Sequence, residues 1–196
     1  MKKTLIVLAV ILVLGFSLFS FISGKYNSLV TKEEVVNTAW AQVENQYQRR
    51  FDLIPNIVAS VAGEANFEKS TLEAVVQARA SATKTNIDIN DAKDFAEYQK
   101  EQSGISQALS RLLMVTENYP NLKANQRFAD LRVSLEGTEN RISTERMRYN
   151  EVVQDFNIYL RTFPNNLLAS FFGFEKKNLF ESDEGASVAP KVDFEK

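Results

Sequence analysis

The sequence predicts an all-α protein: an antiparallel four-helix bundle preceded by one N-terminal transmembrane helix. Three observations predict this fold. An uncharged apolar run lies close to the start, two long segments repeat apolar residues at alternating steps of three and four, and only 7 Gly and 4 Pro occur among 196 residues. The alternating steps are typical of helices packed in a bundle, whereas a β-sandwich or barrel needs turn residues far more often.

The apolar run covers residues 4–22 and follows two lysines. A helix of roughly 20 such residues is long enough to cross the hydrocarbon core of a bilayer. The alternative is a cleaved signal peptide, whose apolar stretch is usually only about 7–15 residues long. Cleavage after Gly15 and Ser17 would leave an apolar new terminus. We therefore expect an uncleaved anchor over residues 1–24, with the lipid bilayer as its partner.

The lysines that flank this run predict its orientation. Lys2 and Lys3 precede the run, and Lys25 and Lys32 follow it, so the basic residues are nearly balanced. The adjacent pair at the start favours a cytoplasmic N-terminus, because lysines near a membrane span are retained on the cytoplasmic side. We therefore expect a single-pass membrane protein whose bundle lies on the non-cytoplasmic side.

The bundle domain is predicted over residues 25–181. Its first helix is expected to begin at Thr31, because Thr31 and Glu34 have the spacing of a capping box. Pro55 lies within this helix and lacks a backbone N–H, which predicts a kink near Phe51 or a break into two helices at Ile54. The seam of the helix consists of Val36, Trp40, Val43, Tyr47, Arg50, Ile54, Ile57 and Val61.

Two further helices follow in the sequence. Ser70 and Glu73 form a second capping box and predict the start of one helix. The next is expected over residues 91–117, where Pro120 and the polar residues around it end the pattern. One stripe of this helix carries Phe95, Tyr98, Gln102, Ile105, Leu109 and Leu112.

The longest helix is expected to begin at Asn125, a good N-cap residue, and to end before Pro164. A short helix over residues 167–172 should close at Gly173 in the left-handed conformation. The tail, residues 182–196, is polar and charged and is predicted to be disordered. The seam of the longest helix consists of Phe128, Leu131, Leu135, Thr138, Ile142, Glu145, Tyr149, Val152, Phe156, Tyr159 and Phe163.

Composition excludes many functional classes. Cys and His are both absent, which removes disulfides, thiolate nucleophiles, imidazole bases and zinc sites built from these residues. A net charge of -2 offers no basic surface for nucleic acid. No phosphate-binding glycine loop occurs. We therefore expect a protein without a cofactor, without a metal site, without nucleic-acid binding and without enzymatic activity.

Two charged residues interrupt the apolar seams. Arg50 lies near the middle of the first seam and Glu145 near the middle of the last. In an up-down-up-down bundle the first and last helices are antiparallel neighbours, so we expect an interhelical Arg50–Glu145 pair, with Gln102 completing its hydrogen bonds. The alternative is that both charged groups reach solvent along their long side chains.

Aromatic residues near the C-terminal end form a second candidate site. They could present a patch to a partner or to the bilayer interface, or they could fill the open end of the bundle. The residues of this candidate patch are Phe171, Phe172, Phe174 and Phe180, with Phe163 beside them. A polar set is a third candidate, for a ligand groove, and consists of Asn56, Asn125, Asn140, Asn150 and Asn157.

Several motifs occur in an order that resembles the LemA family of bacterial membrane-anchored proteins. The resemblance covers residues 26–180 and rests on Arg49-Arg50-Phe51-Asp52-Leu53-Ile54-Pro55-Asn56, Tyr119-Pro120-Asn121-Leu122-Lys123-Ala124-Asn125, Thr138-Glu139-Asn140-Arg141-Ile142, Tyr149-Asn150, Phe156-Asn157, Phe163-Pro164-Asn165-Asn166 and Phe172-Gly173-Phe174. It implies a bacterial, single-pass membrane protein with a helical bundle. It supplies no catalytic residue, and it links the protein to the cell envelope and to membrane-protein quality control.

The expected function is therefore that of a non-catalytic, membrane-tethered interaction or scaffold module with a membrane or envelope protein as partner. Two alternatives stay open. A self-associating structural protein would form homo-oligomers through exposed seams of the longest helix. An envelope enzyme that uses carboxylates and a bound cation would need several Asp or Glu side chains converging inside the bundle.

Overall fold

The computed structural model describes residues 2–64, 67–84 and 87–181. Within these ranges the chain forms six helices and no strand, which confirms the predicted all-α class. The predicted disordered tail, residues 182–196, lies outside the described residues. The helices are α1 (Lys2–Ala62), α2 (Lys69–Lys84), α3 (Ala92–Thr116), α4 (Pro120–Lys123), α5 (Gln126–Arg161) and α6 (Asn165–Phe172).

Helix α1 joins the apolar run and the predicted first soluble helix without interruption. The capping box at Thr31 therefore does not start a helix. Instead, the Thr31 hydroxyl donates to the carbonyl of Asn27 at 2.8 Å. The reason is that the preceding turns already supply acceptors to the backbone N–H groups, so a threonine hydroxyl inside a helix bonds the carbonyl four residues back.

Pro55 lies inside α1 and does not break it. Proline cannot donate the hydrogen bond that the carbonyl of Phe51 would otherwise accept. Arg79 on α2 supplies a replacement, because its Nε donates to the Phe51 carbonyl at 3.1 Å. The predicted break at Ile54 is wrong, and a side chain from another helix satisfies the backbone group that Pro55 leaves open.

The chain divides into two compact units. We call the described residues 2–45 and 144–178 the anchor unit, because they contain the apolar run. We call the described residues from 46 to 143, together with 179–181, the core unit. Helices α1 and α5 each contribute residues to both units.

The core unit buries one cluster of apolar side chains from five helices. The predicted stripe of α3 is buried at every position, including Gln102. At the start of α5, the side chain of Asn125 accepts from the N–H of Phe128 at 3.3 Å, as its capping role predicts. The antiparallel four-helix order stays a prediction. The buried cluster consists of Phe51, Ile54, Ile57, Val61, Val75, Ala82, Ile105, Leu109, Leu112, Leu122, Phe128 and Leu135.

The start of α2 differs from its predicted capping box. Glu68, which precedes the helix, accepts hydrogen bonds from the hydroxyls of Ser70 at 2.8 Å and Thr71 at 3.1 Å. These bonds hold the pKa of the Glu68 carboxyl below its usual value. The hydroxyl groups therefore bind the preceding carboxylate, while Glu73 forms an ion pair with Lys69 at 3.4 Å.

The anchor unit has a smaller buried set, drawn from α1, α5 and α6. Trp40 of α1 packs edge to face on Tyr149 of α5, with ring centroids 5.5 Å apart. On α5 the buried position is Val153, next to the predicted Val152, because a straight helix of period 3.6 drifts from a seam of period 3.5. The buried apolar residues of this unit are Leu29, Val36, Trp40, Val43, Tyr149, Val153, Phe156 and Ala169.

Candidate functional site

Arg50 lies at the centre of a polar cluster in the core unit. Its side chain is 1% exposed. Nη1 donates to the carboxylate of Glu139 at 3.0 and 3.3 Å and to the hydroxyl of Ser106 at 2.8 Å. Nη2 donates to the side-chain oxygen of Gln102 and to its backbone carbonyl. The guanidinium also lies 5.1 Å from the centre of the Tyr47 ring.

This arrangement corrects the predicted Arg50–Glu145 pair. The carboxylate that binds Arg50 is that of Glu139, whereas Glu145 accepts from Arg148, three residues along α5, at 2.9 Å. The prediction aligned the helices by the midpoints of their seams, which is a poor guide to register. Six residues separate the two glutamates, or about 9 Å along a helix. The expected contribution of Gln102 is present.

The Arg50 cluster is suited to fixing helix positions. Each of its members binds another member, because Ser106 also donates to Glu139 at 3.1 Å. Glu139 is 33% exposed, so water reaches one side of the ion pair. Buried ion pairs stabilise a fold little compared with apolar packing, but removing one partner is costly. The cluster therefore specifies which faces of α1, α3 and α5 meet.

A second polar arrangement, in the anchor unit, holds the segment that follows α6. The side-chain amide of Asn157 donates to the carbonyl of Lys177 at 2.9 Å, and its oxygen accepts from the N–H of Lys177 at 3.0 Å. Tyr149 donates to the carbonyl of Asn178 at 3.1 Å. Three side-chain bonds from α5 therefore replace the backbone pairing that an isolated extended segment lacks.

Lys177 itself is buried, although its sequence context predicts a solvent-exposed charge. Its Nζ lies 2.6 Å from the carboxylate of Glu33 on α1 and 5.8 Å from the centre of the Phe156 ring. Sequence reasoning missed this residue, because neighbouring lysines near a polar tail usually remain solvated. The available signal was Asn157, a polar residue directly after Phe156 on the buried side of α5.

Burial and hydrogen bonds shift the pKa values of several groups among the described residues. Burial raises the pKa of the Tyr149 phenol. Lys123 and Arg132 hold the pKa of the Glu117 carboxyl below its usual value through hydrogen bonds of 2.6 and 2.9 Å. Within the described ranges, no three Asp or Glu side chains lie close enough together to hold a metal ion.

The predicted aromatic patch divides into exposed and buried members. Phe171 is 81% exposed and Phe172 is 38% exposed, while Phe174 is half-buried. Phe180 is buried and contacts the ring of Phe95 at 5.0 Å in the core unit. Phe180 therefore does not belong to the patch, because the chain after α6 buries this residue in the core unit.

Three asparagines of the predicted set bind backbone groups at separate places in the chain. Asn56 donates to the carbonyl of Asp52 on its own helix, Asn125 caps α5, and Asn157 holds the backbone of Lys177. The first two lie in the core unit and Asn157 lies in the anchor unit. Each of these three amides thus satisfies backbone groups.

The fold and the candidate site define the class of this protein: it is a membrane-associated, all-helical protein. Its described residues contain one helix that is long and apolar enough to cross a membrane, near the N-terminus. A family model described as the LemA family matches residues 39–194. The chain belongs to the LemA family, which confirms the resemblance carried by its motifs.

Named relatives agree with this membership. Protein LemA of Metamycoplasma hominis is 26% identical over 183 residues, which cover 93% of this chain and 80% of that protein. Magnetosome protein MamQ 2 of Paramagnetospirillum magneticum is 25% identical over 196 residues, covering 90% and 71%. Magnetosome protein MamQ of Magnetospirillum gryphiswaldense is 23% identical over 186 residues, covering 84% and 68%.

Proposed function

We propose that this protein is a non-catalytic interaction module that one transmembrane helix tethers in the bacterial cell envelope. The observation that carries the proposal is the continuity of α1. Residues 4–21 of its apolar run are exposed, and the same helix then buries Leu29, Val36, Trp40 and Val43 in the anchor unit. No flexible linker separates the span from the folded protein.

Such a tether has a physical consequence. A module confined to a membrane meets other membrane proteins at a raised effective concentration, so weak contacts become sufficient for association. The polar clusters around Arg50 and Asn157 support a non-catalytic role, because their hydrogen bonds are directed at one another and at the backbone. The names of the LemA and MamQ relatives describe no reaction.

The finer parts of the proposal concern the side of the membrane on which the folded part lies and the cellular process in which it acts. We propose that the folded part faces the non-cytoplasmic side, since Lys2 and Lys3 precede the span. Membrane-protein quality control is the process that we assign to the module. The proposed partner is a membrane or envelope protein that contacts exposed apolar side chains. Two suitable side chains in the core unit are Met114, 71% exposed, and Val133, 68% exposed.

Site-specific photo-cross-linking in living bacteria tests this proposal. The full-length protein carries a photoreactive phenylalanine at Met114 or Val133, and the captured proteins are identified by mass spectrometry. Exposed polar positions on the same helices, Gln107 and Ser143, serve as matched controls. A second version replaces residues 4–22 by an unrelated transmembrane segment.

We expect one membrane protein to cross-link at Met114 or Val133 in both versions. In the reciprocal experiment, capture of that membrane protein should recover this LemA-family protein. Cross-links only between copies of this chain would replace the proposal by a self-associating scaffold. A lack of specific cross-links at both apolar positions would refute the interaction module. The proposed orientation is then tested by asking from which side of the membrane the cross-linked domain of the partner is accessible.

A further inference from the structure

Helix α6 exposes two large apolar side chains on one face, opposite to its buried face. Asn165 and Ala169 are buried, whereas Leu167 is 62% exposed and Phe171 is 81% exposed. The members of each pair are four residues apart and share a face, and the two pairs are offset by two residues and thus lie on different faces of the helix. A helix in water normally buries its large apolar side chains, so the exposed pair on α6 indicates contact with an apolar environment.

Phe163 is a third exposed apolar residue of this region. It lies in the turn directly before α6 and is 76% exposed. We call Phe163, Leu167 and Phe171 the end patch. Large apolar residues that are exposed together mark a site of interaction with a protein or a membrane, and the neighbours of the end patch distinguish between these two.

The end patch belongs to an element that contacts α1 just beyond the apolar run. The ring of Tyr26 lies 4.9 Å from that of Phe172 and 5.8 Å from that of Phe174. Tyr26 follows Ile22 by four residues, or about 6 Å along the helix axis. This distance equals the thickness of the headgroup region on one side of a bilayer, roughly 5–8 Å.

Basic and aromatic groups lie along α1 directly after the apolar run. Lys25 lies 5.7 Å from the ring centres of both Phe21 and Tyr159, and Lys32 lies 5.3 Å from the latter. The two lysines, Phe163 and Asp155 line one open groove of about 460 Å³. The lysines exceed the carboxylate by one charge, and lysines beside apolar residues suit a surface of lipid phosphates above acyl chains.

We infer that the end patch inserts into the headgroup–acyl boundary of the bilayer that α1 crosses, with Lys25 facing lipid phosphates. The protein then contacts lipid twice, through the span and through α6. This inference rests on the proposed transmembrane tether. A second contact fixes the rotation of the anchor unit about α1, because a single helix can turn freely about its own axis in a membrane.

Depth-dependent fluorescence quenching tests the inference in the full-length protein. The chain contains no Cys, so a single introduced cysteine carries an environment-sensitive fluorophore without other changes. The labelled substitutions are Leu167→Cys in the end patch, Leu12→Cys in the span and Ala41→Cys on the exposed side of α1. Ala41 follows Ile22 by 19 residues, or about 28 Å of helix, and serves as the water-exposed reference.

The labelled proteins are reconstituted in phosphatidylethanolamine–phosphatidylglycerol vesicles at low protein density, with nitroxides on the headgroup or deep on the acyl chain. We expect a blue-shifted emission at position 167 and a loss of intensity with headgroup nitroxide. Position 12 should lose intensity with deep nitroxide, and position 41 with neither. A water-like signal at 167 together with deep quenching at 12 overturns the inference and leaves the tether intact. Absence of deep quenching at 12 overturns the tether itself.

A matched pair of variants tests which residues hold the end patch in place. Phe163→Ser with Phe171→Ser should shift the emission at position 167 toward that in water. Val35→Ser with Met147→Ser removes two other exposed apolar side chains of the anchor unit and should leave it unchanged. A blue shift at 167 that disappears on dilution with unlabelled lipid would assign the end patch to contact between copies and would overturn the lipid assignment.

Discussion

Among the described residues, each unit buries one cationic side chain and binds it differently. Arg50 in the core unit has three side-chain partners, from α3 and α5. Lys177 in the anchor unit has one carboxylate, that of Glu33, and the face of one ring. The planar guanidinium can bridge several acceptors at fixed angles, whereas an ammonium group is a compact charge on a flexible stem.

This difference shows how each unit is held together. In the core unit, side chains of different helices bind one another around a large apolar cluster, which fixes helix register. In the anchor unit, Asn157 and Tyr149 bind the backbone of the segment after α6, and several large apolar side chains stay exposed. Bonds between side chains of different helices thus hold the core unit together, whereas in the anchor unit side chains of α5 bind the backbone of the segment after α6.

The largest expected effect comes from removing Arg50. Arg50→Ala leaves Gln102 buried without its partner and Glu139 without its counter-charge, so we expect a loss of about 3–5 kcal/mol in the free energy of unfolding. Glu145→Ala is the control, because Glu145 forms an ion pair with exposed Arg148 three residues along α5, and such pairs contribute about 0–1 kcal/mol. Denaturant unfolding of the full-length protein in micelles, followed by circular dichroism, measures both. Equal losses would show that the cluster has no special role.

Asn157 should have the next largest effect. Asn157→Ala removes two bonds and leaves the buried N–H of Lys177 without an acceptor, which we expect to cost about 2–3 kcal/mol. Hydrogen exchange should show lost protection at the Lys177 amide. Asn56→Ala removes one exposed bond within α1 and should change stability by less than about 0.5 kcal/mol. Unchanged protection at Lys177 would contradict the role assigned to Asn157.

Arg79 and Pro55 should be coupled. Arg79→Met deprives the Phe51 carbonyl of its donor, and we expect a loss of about 1–2 kcal/mol. Pro55→Ala restores a backbone N–H four residues after Phe51, so the same Arg79→Met substitution should cost about 1 kcal/mol less in that background. A double-mutant cycle on unfolding free energies measures the coupling. Strict additivity would show that Arg79 does not replace the missing proline donor.

Tyr149 has the smallest effect at neutral pH and a larger one in alkali. Tyr149→Phe keeps the ring beside Trp40 and removes one hydrogen bond, for an expected loss of about 1 kcal/mol. Because burial raises the pKa of Tyr149 in the folded protein, this phenol stabilises the fold fully below about pH 10. The stabilisation then declines by up to about 1.4 kcal/mol per pH unit.

The two stability curves should therefore converge as the pH rises above 10. Trp40 is the single tryptophan and contacts Tyr149, so its fluorescence during denaturation reports on the anchor unit. A constant difference between the original protein and Tyr149→Phe over the alkaline range would contradict a raised pKa.

Local patterns in the sequence predicted much of the fold. The apolar run, the stripe of α3, the Asn125 cap and the left-handed Gly173, with φ of 77°, depend on neighbours within one or two turns. The helix start at Thr31 was wrong for a related reason. A capping motif is also compatible with the interior of a helix when the preceding residues are themselves helical.

The candidate sites were predicted less completely. Arg50 and Gln102 were recognised from their seams, but the carboxylate partner proved to be Glu139, and buried Lys177 was missed. Of the predicted aromatic patch, Phe171 and Phe172 are exposed, while Phe180 is buried against Phe95. Each error concerns a partner that is distant in the sequence.

The sequence by itself determined the helical class, the apolar run, the LemA membership and the residues that interrupt the buried seams. Helical periodicity, caps and composition act over a few residues, so they can be recognised without a structure. Only the tertiary structure decided that Glu139 binds Arg50, that Arg79 compensates for Pro55 and that α6 exposes Leu167 and Phe171. Those outcomes depend on the register and rotation of packed helices, where a shift of one residue rotates a side chain by about 100°.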